Sequence, residues 1–227
     1  MNPVERSARI KALGLLLVGL TPAEFNWIFN PHLVHLPAIF WAVDIFRWVV
    51  LPAFIFSWGI RARLFTIREL GLDCRVFGRS NLWMFAATLI AIPALLCWLD
   101  PYEFWLAPRL AAASPVRFSY QQMIPPVANA PALHLITAIY FSVGAGLVEE
   151  FYYRGLVRYI CGRGFLRSCL FIVVSLLLFA PPHLNGGTIG VIYADLFGLG
   201  AALIYLAVGN LWPLIIAHIL IDFGWFN

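Results

Sequence analysis

Apolar residues in this chain fall into long runs, separated by short polar or Pro- and Gly-containing connections. A run of about 20 apolar residues is the length of a helix that crosses a hydrocarbon core. The first run, residues 12–20, follows Arg6, Arg9 and Lys11 and can continue to about Phe29. It has the layout of a signal peptide, but Thr21-Pro22-Ala23-Glu24 follows where a small-residue cleavage site would lie, so it reads as a retained membrane helix. Residues 30–37, with Pro31 and Pro37, read as a turn. The second span is 38–59, and the Arg-rich stretch 61–81 reads as a polar connection to the third span, 82–99. Residues 100–131 form a long Pro-rich connection, and Tyr102, Phe104 and Trp105 suit a position at the membrane interface. The fourth span is one long helix from 132 past Arg154 to about 160, broken by Gly162 and Gly164. The fifth, sixth and seventh spans are 165–179, 190–208 and 211–226.

The pattern therefore predicts an all-α, polytopic membrane helix bundle of about seven spans, with six to eight as the range. Residues 1–227 form one integral membrane domain, without internal repeats or a second domain, and the functional motifs lie in a core of about 132–226. Composition agrees. The chain is 62% hydrophobic and 11% charged, whereas an ordinary soluble domain is about 45–50% apolar and about 25% charged. So little charge excludes a disordered chain and disfavours a soluble cytoplasmic enzyme.

The net charge of +4 could suggest nucleic acid, but the basic residues cluster between apolar runs. No segment alternates basic and aromatic residues as a nucleic-acid surface would, so no nucleic-acid partner is expected. With the N-terminus inside, inner segments hold twelve basic residues and outer ones only Arg109 and Arg117. That bias predicts a cytoplasmic N-terminus and, with seven spans, an external C-terminus. Cys74, Cys97, Cys161 and Cys169 form no Cys-x-x-Cys pair; Cys97 and Cys169 read as core residues, and no structural disulfide is expected.

Ionisable residues inside apolar spans are costly and each needs a reason. Asp44 and Arg47, three apart, lie on neighbouring positions of one helix face and read first as an internal ion pair. Three further clusters sit in the C-terminal part. In Glu149-Glu150-Phe151-Tyr152-Tyr153-Arg154, Glu150 and Arg154 are four apart and can pair. Glu149 is turned about 100° away on a regular helix and has no local basic partner. Glu150 thus reads as structural, and Glu149 as a general base or acid. In Phe179-Ala180-Pro181-Pro182-His183, the Pro pair ends the helix and should turn His183 inward. In His218-Ile219-Leu220-Ile221-Asp222, the four-residue spacing stacks His218 and Asp222 on one face. Asp195, in the sixth span, either joins this polar centre or is a separate buried group.

Each cluster alone has a bland structural reading. Together they supply a base, a water site and hydrogen-bond donors, which is an inventory for hydrolysis in a polar cavity lined by the fourth, fifth and seventh spans. Zinc is the rival use of the same side chains, with His183, His218 and Glu149 as its ligands.

The set Glu149-Glu150-x-x-x-Arg154, Phe179-x-x-x-His183 and His218-x-x-x-Asp222 resembles the three signature motifs of the CPBP family. That family holds the type II CAAX prenyl endopeptidases and the Abi, or bacteriocin-processing, proteins. The resemblance spans about 147–222; the first half of the chain is similar only in being hydrophobic. It implies a glutamate-dependent intramembrane endopeptidase that needs no metal or cofactor and cleaves a membrane-anchored protein or peptide. Carried over, Glu149 activates water and His183 helps to position it. His218 and Asp222 stabilise the oxyanion, and Arg154 braces the glutamates through Glu150. The best-known members carry Asn where this chain has Asp222. An ionised Asp would repel an oxyanion, so Asp222 must be protonated or must instead orient His218. The substrate is either a CAAX-like tail or a C-terminal sorting anchor, and an exosortase- or sorting-associated bacterial member fits a small Arg-rich chain. That places the chain in a bacterial inner membrane. Two other classes stay open: an ion-coupled transporter, disfavoured by the absence of inverted repeats, and a non-catalytic immunity or scaffold protein.

Overall fold

The computed structural model describes residues 3–73, 82–113 and 131–226. Among these residues the chain is helical apart from turns and the non-helical segment 62–73, and it has no strand. Helix α1 is Pro3–Glu24, α2 is Asn26–Leu33 and α3 is Pro37–Arg61. Helix α4 occupies 82–113, α5 is Pro131–Cys161, α6 is Phe165–Phe179, α7 is Gly187–Val208 and α8 is Trp212–Phe226. Four of these, α3, α5, α7 and Phe165–Leu184 (α6 with the turn after it), are long and apolar enough to cross a membrane. Leu89–Pro101 within α4 and all of α8 are apolar but shorter. The protein is thus a membrane helix bundle. Large apolar side chains such as Leu17, Phe54, Leu89, Ile136, Leu170 and Leu177 stand exposed on its outside, where lipid rather than water is the natural solvent.

Helix α8 lies at the centre. It packs against α5 on one side and α4 on the other, burying Leu214, Ile215, Ala217, His218 and Ile221. Gly146 makes the close approach to α5: a Cβ there would come within 2.5 Å of Ile219 and 3.1 Å of the Ile215 carbonyl oxygen. Gly146 is one helical turn before Glu149, so this contact brings α8 up to the glutamates. Helix α7 packs on α4 and α6, and the Trp98 indole donates to the Leu196 carbonyl at 2.9 Å. Helix α1 lies against α5 around Glu150–Cys161.

The break after α5 follows the sequence: Gly162 and Gly164 hold φ of 84° and 113°, a region open to glycine at little cost. Elsewhere the structure corrects the sequence reading. Residues 30–37 are not simply a turn, because α2 runs through Pro31 to Leu33 and only 34–36 turn. The first helix does not reach Phe29; it ends at Glu24 and α2 starts at Asn26. The connection expected to begin at Asp100 is helical as far as Ala113, with a π-helical turn at Tyr102–Leu106 that absorbs Pro101. Its remainder, 114–130, lies outside the described residues, as do 74–81 with Cys74. Cys97 and Cys169 are exposed and not core residues; on a bundle in lipid, an apolar stretch need not face inward.

Candidate active site

Helix α5 does not keep one geometry through its motif. It is α-helical to Glu149 and then winds as a π-helix over Glu150–Leu156 before returning to α-helix. Such wider turns are rare and recur at functional sites. All seven residues of the turn are buried. The wider winding leaves Glu150 and Arg154 adjacent, with Arg154 Nη1 3.2 Å from Glu150 Oε1 and both side chains fully buried. The guanidinium lies 4.4 Å from the Phe179 ring centroid and 5.9 Å from that of Phe197. A planar cation over an aromatic face gains electrostatic stabilisation where water is excluded. Phe179 thus packs on the guanidinium from α6, and α7 adds Phe197, which no motif marks.

The two glutamates converge on one imidazole from α8. His218 Nδ1 is 2.9 Å from Glu150 Oε1. Its other nitrogen, Nε2, is 3.7 Å from Glu149 Oε2 and 3.6 Å from Asp222 Oδ2. A carboxylate only accepts, so Nδ1 carries the proton and donates it to Glu150. This fixes the tautomer and orientation of the ring, and leaves Nε2 facing the Glu149–Asp222 side. The adjacent glutamates thus occupy opposite edges of one ring. Glu150 is closed in by Arg154 and His218, whereas Glu149 has only the longer contact.

His183 belongs to the same neighbourhood without touching this cluster. Helix α6 ends at Phe179, and Pro181–Gly186 forms a tight 3₁₀ turn that carries the His183 ring back. Its Nδ1 lies 2.9 Å from the Phe179 carbonyl oxygen, and its ring packs 4.9 Å from the Phe179 ring. Phe179 in turn stacks on Phe197 at 6.0 Å, and Phe197 lies 4.5 Å from the His218 ring. A run of ring contacts through Phe179 and Phe197 thus connects the two histidines. Asp195 is half-buried on α7, and among the described residues no ion pair joins it to the cluster. Among the described residues, no group of three or more His, Cys, Asp or Glu is arranged to hold a metal ion.

Sequence reasoning missed Tyr153, whose hydroxyl hydrogen-bonds the Glu24 carboxylate of α1. Nothing in the spacing of α1 signals this contact, because it depends on how α1 docks.

The arrangement as a whole, a carboxylate with a free edge beside an oriented imidazole in a buried centre, suits proton transfer to and from a bound water. Residues 131–224, which contain all three motifs, match the family model described as type II CAAX prenyl endopeptidase Rce1-like. The matched stretch is similar to that family, which supports the CPBP resemblance and, in general terms, a CAAX-type intramembrane protease. No curated protein and no solved structure matches the chain significantly.

Proposed function

We propose that the protein is an intramembrane endopeptidase that hydrolyses a peptide bond of a membrane-anchored substrate with a glutamate-activated water. The observation that carries this is the His218 ring held by Glu150 on one nitrogen and faced by Glu149 and Asp222 on the other. Glu149 takes a proton from water. The water oxygen attacks the scissile carbonyl carbon, and the carbonyl electron pair moves onto oxygen. The oxyanion pair then re-forms the carbonyl as the C–N bond breaks, and Glu149 passes the proton to the departing amine. His183 donates Nδ1–H to the Phe179 carbonyl, so its neutral ring presents Nε2 as an acceptor that positions the water.

His218 serves the oxyanion as a donor through Nε2–H when the ring is charged, with Glu150, Glu149 and Asp222 as the carboxylates around it. Asp222 then acts by orienting His218, which resolves the repulsion that a free carboxylate would exert on an oxyanion. Glu150 and Arg154 form the brace beneath. No metal or cofactor enters this scheme. The substrate class that the family match favours is a prenylated CAAX tail, and the membrane is a bacterial inner membrane with the N-terminus cytoplasmic.

The test is cleavage of an internally quenched, farnesylated CAAX peptide by the purified protein in liposomes. Cleavage by the native protein and none by Glu149→Gln is the expected result. Equal cleavage by both would remove Glu149 as the base. Cleavage of a C-terminal sorting-anchor peptide but not of the farnesylated one would keep the chemistry and replace the substrate.

A further inference from the structure

Helix α1 lies outside the three motifs and outside the family match, yet its last residue reaches the site. Glu24 ends α1, which packs on the π-helical turn of α5 and on the Pro181–Gly186 turn that carries His183. The Tyr153 hydroxyl donates to the Glu24 carboxylate, and Tyr153 is itself fixed edge-on against Phe179 with ring centroids 5.1 Å apart. Glu24 is near enough to Glu149 to interact electrostatically. Its second oxygen, Oε1, is buried and has no hydrogen-bond partner. Glu150 Oε2 is also buried without one, but Glu150 is fully enclosed behind Arg154 and His218, whereas Glu24 is half-buried. Glu24 thus adds, from outside the three motifs, a buried carboxylate oxygen without a partner beside the site.

A buried acceptor without a partner is costly, and so is a peptide N–H carried into a membrane-embedded site. Each relieves the other. We propose that Glu24 Oε1 accepts a hydrogen bond from a main-chain N–H of the substrate beside the scissile bond, which makes Glu24, held by Tyr153, a substrate-positioning residue. The inference rests on the Glu149 reading of the site and adds α1 to it. Because the contact is to the peptide backbone, it would recognise an extended chain irrespective of its side chains.

The test pairs the variant with a change in the substrate backbone. Farnesylated CAAX peptides are made with single amide-to-ester replacements at each residue flanking the scissile bond, which delete one N–H at a time. For the native protein, one ester position should lower kcat/KM by about tenfold to a hundredfold, the scale of a hydrogen bond to a charged group. Glu24→Ala should show a similar loss on the all-amide peptide, mostly in KM, and no further loss on that ester. Glu24→Gln, which keeps an acceptor oxygen, should recover most of the activity. Tyr153→Phe, which releases Glu24 without removing it, should show a smaller loss of the same kind. Losses from Glu24→Ala and from every ester that simply multiply would overturn the proposal, as would normal kcat/KM in folded Glu24→Ala. If Glu24→Ala fails to fold, Tyr153→Phe and Glu24→Gln with the ester series decide the matter by the same criterion. A dead Glu149→Gln alongside a multiplicative Glu24 result sinks this inference alone, whereas an active Glu149→Gln sinks the reading beneath it.

Discussion

Among the described residues, two buried Arg–carboxylate pairs at helical spacing each involve a π-helical turn, and they have opposite characters. In the first, Asp44 and Arg47 are in contact at 2.8 Å next to the turn at Phe46–Val50 of α3. Tyr140 of α5 donates to the other Asp44 oxygen at 2.9 Å, and Asn30 of α2 offers its carbonyl oxygen to Arg47 at 3.5 Å. Charges balance one to one, and each Asp44 oxygen has a partner. In the second, one arginine, Arg154, serves a centre that holds Glu149, Glu150 and Asp222 around a single histidine. Carboxylates outnumber the arginine three to one, and Glu149 has no close hydrogen bond. A closed pair fastens α2, α3 and α5 together. An open surplus needs a proton, a water or a substrate to complete it, and that need separates a site from a staple.

The sharpest challenge to this contrast is Glu149→Gln. It should lower cleavage by about 10²–10⁴-fold, the range for a lost general base, while yield and unfolding temperature in detergent stay near native. If Glu150→Gln is the dead variant and Glu149→Gln turns over normally, the open and closed roles of the two glutamates are reversed. Next in size, Arg154→Ala leaves Glu150 buried without its cation and should cost about 3–5 kcal/mol, seen as a lower folded yield together with lost activity. Arg154→Lys should recover little, because a point ammonium does not reproduce the planar contact with Phe179.

At the staple the pattern should invert. Tyr140→Phe strips one donor from a buried carboxylate and should cost about 1–3 kcal/mol in thermal unfolding, with kcat/KM of the folded fraction unchanged. A kinetic defect without loss of stability would make the Asp44 cluster part of the site. Smaller again, Asp222→Asn should keep cleavage within about tenfold, since an amide oxygen can still orient His218. A loss as deep as that of Glu149→Gln would give Asp222 a direct part in proton transfer. The smallest effect expected is that of a chelator at concentrations that strip ordinary zinc proteases: turnover should not change. Stoichiometric zinc lost with activity and restored on adding the metal back would convert His183, His218 and Glu149 from water-handling groups into ligands.

Much of the bundle is legible in the amino-acid pattern, for a physical reason. A span must satisfy its own backbone hydrogen bonds and present apolar side chains to lipid, so its existence is written locally in about 15 to 20 consecutive residues. The ends of the fifth span, before Pro181, and of the fourth, at Gly162, fall almost where the pattern puts them. The misreadings share one cause. Pro31 and Pro101 look like helix breakers, but tertiary packing and a π-helical turn let the helices pass through them. Exposed Cys97 and Cys169 show the other limit: apolar patterning cannot tell a core face from a lipid face when both are apolar.

Local sequence dictates the membrane helices, the Asp44–Arg47 and Glu150–Arg154 pairs, and the stacking of His218 on Asp222, because three- and four-residue spacings fix neighbours on one helix. Helix packing, by contrast, is what inserts the ring of His218, 68 residues from Glu150, between the two glutamates. Packing also puts Phe197 against both Phe179 and the His218 ring, and brings Glu24 to Tyr153. Contacts between distant segments depend on which helices approach closely, here through Gly146 against α8, and no local period encodes that choice.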